Sequence, residues 1–247
     1  MDSWNDIKQW RKEQRAGLLA WRLAAPQDDR RRWGESITRL LLEGFPLLQW
    51  MTVSFYWPIQ GEFDARFAVR EFRKHGARTA LPVVVEKGKP LEFREWWPGV
   101  WATKGVFDLP VPEGTAVLRP QAALMPPVGF DRQGYRLGYG GGYFDRTLAA
   151  LDPQPLKIGV GFELSRIATI HPQPHDVPMD FVVTEAGIHC VRNGGLERVA
   201  DPGEVAELAG QIVLERDRAS RTDGQDADTG PQQYASPACY AHEFQRK

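Results

Sequence analysis

The chain has 247 residues, enough for one large domain or two small ones around a buried core, which excludes a miniprotein that depends on disulfide or metal staples. Lys and Arg total 31 against 32 Asp and Glu, a formal charge of -1, so no basic excess exists to drive wholesale attraction to nucleic acid or to a membrane. Cys190 and Cys239 lie far apart, outside any CxxC or metal-ligand spacing, and no apolar run approaches the roughly 20 residues of a membrane span. The first residues mix charges throughout and lack the apolar run of a secretory signal, so a soluble protein of the reducing cytoplasm is expected.

Residues 6–21 read as a basic amphipathic helix, with Ile7, Trp10, Leu18 and Trp21 on one face and Lys8, Arg11, Lys12 and Arg15 around it. Pro26 ends that helix. Asp28 is a suitable N-cap for a second one carrying Trp33, Ile37, Leu40 and Leu41 and closing near Gly44, so a helical hairpin opens the chain. A β run over 51–57, a helix over 63–75 closed by Gly76 and a β run over 79–86 then give β-α-β punctuation, which predicts an α/β fold with a mostly parallel sheet. Glu86-Lys-Gly-Lys89 reads as a turn between 83–85 and 91–93, so a β-hairpin decorates the sheet. Further strands are predicted at 116–125, 157–162 and 181–184, with helices after Gly142 and over about 204–214. From 217 to 247 aliphatic residues nearly vanish, too few to offset ordering entropy, so 1–216 is expected as a single α/β domain followed by a disordered tail.

The sharpest local signal is Arg136-Leu137-Gly138-Tyr139-Gly140-Gly141-Gly142-Tyr143-Phe144-Asp145-Arg146, between a predicted strand and a predicted helix. Four glycines in five residues allow positive φ and close backbone approach, while the helix start turns free N–H groups outward, the requirements of a phosphate cradle. No GK[ST] follows and GxGxxG is not met, so a tight turn whose Tyr143 and Phe144 fill the core reads equally well. Asp145 is placed either for a magnesium ion beside phosphate or simply as a partner of the helix dipole. His171 and His175 stand four apart, but Pro172 and Pro174 forbid the helix that would make them chelate a transition metal. His175 is left as a base or phosphate contact, and Asp176 as a second magnesium carboxylate, against a reading of the loop as surface punctuation. Glu62 follows a strand and precedes a helix, where open α/β sheets hold ligands; it suits a polar ring edge or a helix-start acid. Lys8, Arg11 and Arg15 could meet a nucleotide or a glutamyl tail, or form a solvated face. Trp96, Trp97 and Trp101 suit a flat heterocycle, or core and interface packing.

Taken together, the 136–146 block, the upstream Pro126-Pro-Val-Gly-Phe-Asp-Arg-Gln-Gly134, Gly159-Val-Gly-Phe-Glu163, His175-Asp-Val-Pro-Met-Asp180 and Val183-Thr-Glu185 resemble the 5-formyltetrahydrofolate cyclo-ligase family, also called methenyltetrahydrofolate synthetases, over about residues 5–192. The resemblance implies a Rossmann-like three-layer arrangement and an enzyme that uses ATP and Mg2+ to cyclise 5-formyltetrahydrofolate to 5,10-methenyltetrahydrofolate, releasing ADP and phosphate. In that chemistry the formyl oxygen, a poor leaving group, is activated by phosphoryl transfer and nitrogen 10 closes on the carbon. Catalysis is then chiefly positioning and charge neutralisation.

Carried onto this chain, the resemblance implies catalytic roles for Arg136, Tyr143 and Asp145. It assigns ATP to Lys8, Arg11 and the loop from Arg136 through Leu137, Gly138, Tyr139, Gly140, Gly141 and Gly142 to Tyr143. Folate falls to Glu62, Gly140, Gly142 and Tyr143, and magnesium to Asp145 and Asp176. Its partners are then small molecules, a reduced formyl folate and ATP, with no nucleic acid or membrane, and the chain is expected to be a monomer. Departures from the family pattern are Ile7 where a cation is usual, Asp108 for Glu in Gly105-Val-Phe-Asp-Leu-Pro110, and Phe144 for a second tyrosine. With Trp57 and Trp96-Trp97 they open the pocket to a modified folate or another flat substrate. Two other readings share the scaffold: a non-catalytic folate- or nucleotide-binding relative, and a sugar-phosphate isomerase or CoA-transferase-like enzyme, which would need a carboxylate base and no ATP.

Overall fold

Two helices, α1 (Trp4–Ala24) and α2 (Gln27–Gly44), open the chain in a computed structural model that describes residues 3–225. Ser3 caps α1 by accepting the Asp6 N–H at 3.2 Å, so the helix starts before the apolar periodicity shows. Pro26, not Asp28, precedes α2; Asp28 and Asp29 sit inside its first turn, where carboxylates meet the positive end of the dipole. The helical pair has divided loyalties. The buried face of α2, Ile37 and Leu41, enters the main core, while α1 buries Arg11, Leu18 and Arg22 against the loops of the site.

The rest alternates. β1 (Thr52–Ser54) leads to α3 (Arg66–Lys74) and β2 (Arg78–Val83), and β3 (Glu92–Glu95) returns antiparallel to β2 as the expected hairpin. β4 (Ala102–Lys104) and β5 (Pro110–Pro112) form a separate two-stranded ribbon. β6 (Ala122–Met125) is followed by β7 (Gly129–Asp131) and β8 (Arg136–Leu137), then α4 (Tyr143–Ala150) and β9 (Leu156–Val160). β10 (Arg166–Ile167) joins β7 and β8 in a small sheet. β11 (Phe181–Thr184), β12 (Gly187–Arg192), β13 (Gly195–Val199) and α5 (Pro202–Gln225) complete the order.

The main sheet runs β13-β12-β11-β9-β6-β1-β2-β3. Its centre, β11-β9-β6-β1-β2, is parallel throughout, with antiparallel strands at both edges. Every residue of β6, β9 and β11 is buried, as strands covered on both faces must be. One face packs Phe45, Phe55, Phe72 and Phe181 with α2, α3 and α5; the other packs Met125, Phe130, Leu148 and Met179 under α4. The chain runs from β1 outward to β2 and later from β6 in the opposite direction to β9 and β11. The topological switch point therefore lies between β1 and β6.

Two expectations are corrected. α3 begins at Arg66 and not at 63, because Phe63 stays in the preceding loop, its carbonyl accepting the Tyr56 hydroxyl at 2.9 Å, and Asp64 takes the Arg66 N–H at 3.0 Å. The stretch expected to be disordered from 217 is helical as far as Gln225, since α5 is fastened by Val205 and Ala209 in the core and by Arg216 on Asp180. Residues 226–247 of that expectation lie outside the described residues. Among the described residues no helix is long and apolar enough to cross a membrane.

Candidate functional site

In an open α/β sheet the ligand crevice is expected at the switch point, between the segments that leave β1 and β6. After β1 the chain turns through Gln60 and Gly61 to Glu62; after β6 it passes Pro126 and Pro127 to Val128. Arg22 of α1 lies across both lips. Its Nε donates to the Gln60 carbonyl at 3.0 Å and its Nη1 to the Pro127 carbonyl at 3.3 Å, while Nη2 donates to the Tyr139 hydroxyl at 2.8 Å. Tyr139 in turn donates to Glu62 Oε1 at 2.7 Å, and Glu62 Oε2 accepts the Ile59 N–H at 2.9 Å. Burial pushes the Glu62 carboxyl above its ordinary range, against the pull of those two hydrogen bonds and of the Arg22 charge. Burial and the neighbouring Glu62 raise the Tyr139 phenol strongly, so it stays protonated and remains a donor.

The glycine-rich block forms the corner from β8 into α4. Gly140 and Gly142 have φ of 95° and 61°, which side-chain-bearing residues rarely adopt, and α4 starts without a side-chain cap, leaving its first N–H groups to an outside acceptor. Two cations flank the loop. Arg15 Nε donates to the Gly138 carbonyl at 2.8 Å with its guanidinium alongside Gly140, and Arg146 Nη2 donates to the Gly141 carbonyl at 2.5 Å. Burial, helped by the charge of Arg11, lowers the Arg15 pKa, a field that an anion at the loop would relieve. The arrangement has the donors a phosphate group needs, while Phe144 packs against the Met125, Phe130 and Leu148 cluster as the plain-turn reading also expected.

Other expected residues take different positions. Arg136 is buried and committed: Nη1 donates to the Val177 carbonyl and Nη2 to Asp145 Oδ1, both at 2.7 Å. Burial lowers its pKa, with Asp145 and Asp176 opposing. Asp145 Oδ1 also accepts the Val177 N–H at 3.1 Å, so this pair sews α4 to the 171–177 loop. Arg11 is buried too, bonded to the carbonyls of Ile170 and His171 and paired with Asp176 at 2.5 Å. Leu137 is core, Tyr143 is half-buried beside Arg146, and Lys8 is exposed over the Trp4 ring. Trp96 is buried, edge-on to Phe55 and Trp57, whereas Trp97 and Trp101 are exposed.

These positions decide what a magnesium ion would find. No donor among the described residues reaches Asp145 Oδ2, and the side chain is partly open, so one carboxylate oxygen beside the glycine corner fits a cation that also shares phosphates. Asp176 is different: Arg11 holds it in a bidentate pair and Oδ2 also takes the Gln173 N–H at 2.7 Å. It meets a metal only if Arg11 turns away. His171 packs edge-on to Trp10 and His175 is exposed beside Trp4; among the described residues no group of three or more His, Cys, Asp or Glu converges for a metal.

Sequence reasoning passed over Arg22 and Arg146. Arg22 falls on the Arg11-Arg15-Leu18 face of α1, a spacing that was visible, but nothing local tells which loops that face would meet. Asp131, buried with three backbone N–H groups on its carboxylate, is the knot that ties the β7–β8 turn to the Ile170 backbone.

Comparison with known proteins bears on family and fold. Residues 7–185 match the profile of the 5-formyltetrahydrofolate cyclo-ligase family. The chain is 32% identical over 189 residues to the 5-formyltetrahydrofolate cyclo-ligase of Mycolicibacterium smegmatis, covering 72% of this chain and 95% of that protein. It is 24% identical over 176 residues to the Escherichia coli K12 5-formyltetrahydrofolate cyclo-ligase, covering 68% and 95%. Among solved structures, the Aquifex aeolicus 5,10-methenyltetrahydrofolate synthetase superposes with a TM-score of 0.65 at 27% identity, over 77% of this chain and 96% of that one. The Mycoplasma pneumoniae 5,10-methenyltetrahydrofolate synthetase, at 23% identity, has the same fold with a TM-score of 0.60, over 71% and 98%.

Proposed function

Because the chain belongs to the 5-formyltetrahydrofolate cyclo-ligase family, we propose that its glycine corner and its switch-point crevice hold ATP and a reduced formyl folate side by side. The reaction is the cyclisation of 5-formyltetrahydrofolate to 5,10-methenyltetrahydrofolate with release of ADP and phosphate. One observation carries the placement: the 2.7 Å bond from Tyr139 to Glu62 joins the loop shaped for phosphate to the buried acid that follows β1. Two substrates that must exchange a phosphoryl group need such adjacency.

The residues divide the work. Arg15 and Arg146, with the N–H groups at the start of α4, would face the phosphates, and exposed Lys8 would reach them from the open end of α1. Glu62 would accept from the donor edge of the pterin, and Tyr143 would border the folate. Asp145 would hold magnesium through Oδ2; the ion's chemistry there is to neutralise charge on the phosphates. Arg136 would act by fixing the Asp145 carboxylate instead of by direct contact with ATP. Arg11 anchors α1 on the 170–176 loop, and if it swings to the nucleotide it frees Asp176 for the metal. With no bond-forming nucleophile needed, charge neutralisation and positioning suffice. We place the chain in the cytoplasm as a monomeric single domain over 1–216, extended by the rest of α5.

The purified chain with ATP, Mg2+ and 5-formyltetrahydrofolate is expected to develop the near-ultraviolet absorbance of the methenyl product. Binding of both ligands without that absorbance would favour the non-catalytic reading, and the absorbance without ATP would exclude the phosphoryl-transfer route.

A further inference from the structure

The carboxylate of Glu62 is shut in by the protein itself: Oε1 accepts the Tyr139 hydroxyl and Oε2 the Ile59 N–H, and the side chain is only 2% exposed, so no open side is left for a ligand. A ring edge with two donors can take it only after Tyr139 lets go. The phenol has room to do so, since Tyr139 is 42% exposed and lies between two glycines, with nothing within 4 Å of where a Gly138 Cβ would stand. Arg22 is the fixed end of the contact. Its side chain is buried, and its Nε and Nη1 stay tied to Gln60 and Pro127 whether or not Nη2 holds the phenol.

The same short segment is fastened on either side by Arg15 on the Gly138 carbonyl and Arg146 on the Gly141 carbonyl. Both cations bind a neutral acceptor where a phosphate would offer an anionic one, so the exchange adds the attraction of opposite charges and a fork geometry that a guanidinium matches. A triphosphate at the corner therefore draws both cations off the loop carbonyls and loosens the stretch that carries Tyr139.

The geometry points to Tyr139, seated on Arg22, as a bolt over Glu62 that nucleotide binding withdraws. Both are positioning residues, and through them folate affinity depends on nucleotide. The inference rests on the reading of the crevice given under Proposed function. Because the coupling is an equilibrium between bolted and open loop, it is reciprocal: folate tightens nucleotide binding by the same factor.

Calorimetric binding of 5-formyltetrahydrofolate, with and without a non-hydrolysable ATP analogue and Mg2+, tests this. In the unmodified protein the analogue is expected to tighten folate binding roughly 5- to 20-fold. In Tyr139→Phe, folate alone binds about as tightly as it does to the unmodified protein with analogue, and the ratio of the two affinities falls to within about two-fold of one. Loss of packing alone would weaken binding in both conditions and leave the ratio intact. An unmodified protein that binds each ligand with a ratio of one, or a Tyr139→Phe variant that keeps the full ratio, overturns the bolt and leaves the cyclo-ligase reading standing. Failure of the unmodified protein to bind 5-formyltetrahydrofolate at all overturns both.

Discussion

Asp145 divides its two oxygens between architecture and chemistry. Oδ1 holds Arg136 and the Val177 N–H, and no donor among the described residues reaches Oδ2, the oxygen proposed to meet magnesium. Asparagine keeps an acceptor for the first task and cannot perform the second. Asp145→Asn is therefore expected to unfold cooperatively, as the unmodified chain does, while turnover falls at least about 100-fold. Near-normal turnover in the product absorbance assay would remove the magnesium assignment.

Glu62 shows the opposite tension, between stability and binding. Its pKa is raised in the fold, chiefly by burial, so the native state favours the protonated form. The stability this contributes is present at acid pH and is lost as pH rises through the folded value. Near neutrality, Glu62→Gln removes a buried charge, so the ligand-free variant is expected to resist urea better than the unmodified chain at pH 7, with the difference shrinking toward pH 4. The same change weakens 5-formyltetrahydrofolate binding by at least about ten-fold, because a charged acceptor is lost. Folate binding by the unmodified chain should correspondingly fade on acidification at a pH above the ordinary carboxylate range. A variant no more stable at pH 7 than at pH 4, relative to the unmodified chain, would contradict the cost assigned to the buried charge.

At the scale of elements, β9 shows why Gly159 sits in a fully buried central strand. A Cβ there would overlap the Met179 sulfur, and Met179 packs with Ala123, Met125 and Phe130 beneath α4. The glycine thus lets the segment after the 171–177 loop lie flat on the sheet. Gly159→Ala is expected to destabilise the chain by about 1–3 kcal/mol, measured as a lower urea midpoint with an unchanged slope. A loss below a few tenths of a kcal/mol would show that Met179 can move aside. The β12–β13 hairpin turns on Asn193 and Gly194, both at positive φ. That Asn-Gly pair is a strong hairpin signal that was present in the sequence.

For the whole molecule, the family match ends at 185, yet the fold does not. β12, β13 and α5 close the main core: Val205 and Ala209 are wholly buried, Leu208, Ile212 and Val213 pack beside them, and Arg216 binds both Asp180 oxygens and the Pro155 carbonyl. A chain ending at Ala200 loses these contacts and leaves Asp180, partly buried beside Lys157, without its shortest ion pair. Its unfolding free energy is expected to fall by about 4 kcal/mol or more, read by denaturant titration. Unchanged stability would mean that α5 is an appendage.

Periodicity and punctuation settled α2, β6, β9, β11 and α5, which bury a continuous apolar stripe, because such patterning is local and must agree with the fold. α1 forms where its period put it, but it buries Arg11, Leu18 and Arg22 instead of the expected Ile7-Trp10-Leu18-Trp21 face and leaves Trp21 66% exposed. The glycine-rich block likewise announced its corner, since positive φ is a property of the residue itself. Short pairings such as β4 with β5 and β10 with β7 were invisible: two- and three-residue strands have no period, and β10 and β7 are brought together from separate parts of the chain. Only the tertiary structure decided which cations are spent on architecture and which face the crevice. Arg11, Arg15 and Arg22 share one face of α1, yet the first is locked on Asp176, the second rests on the glycine loop and the third bolts the lips together. A guanidinium's role depends on which carbonyls and carboxylates surround it, and here those arrive from loops more than a hundred residues further along the chain, as well as from nearer ones.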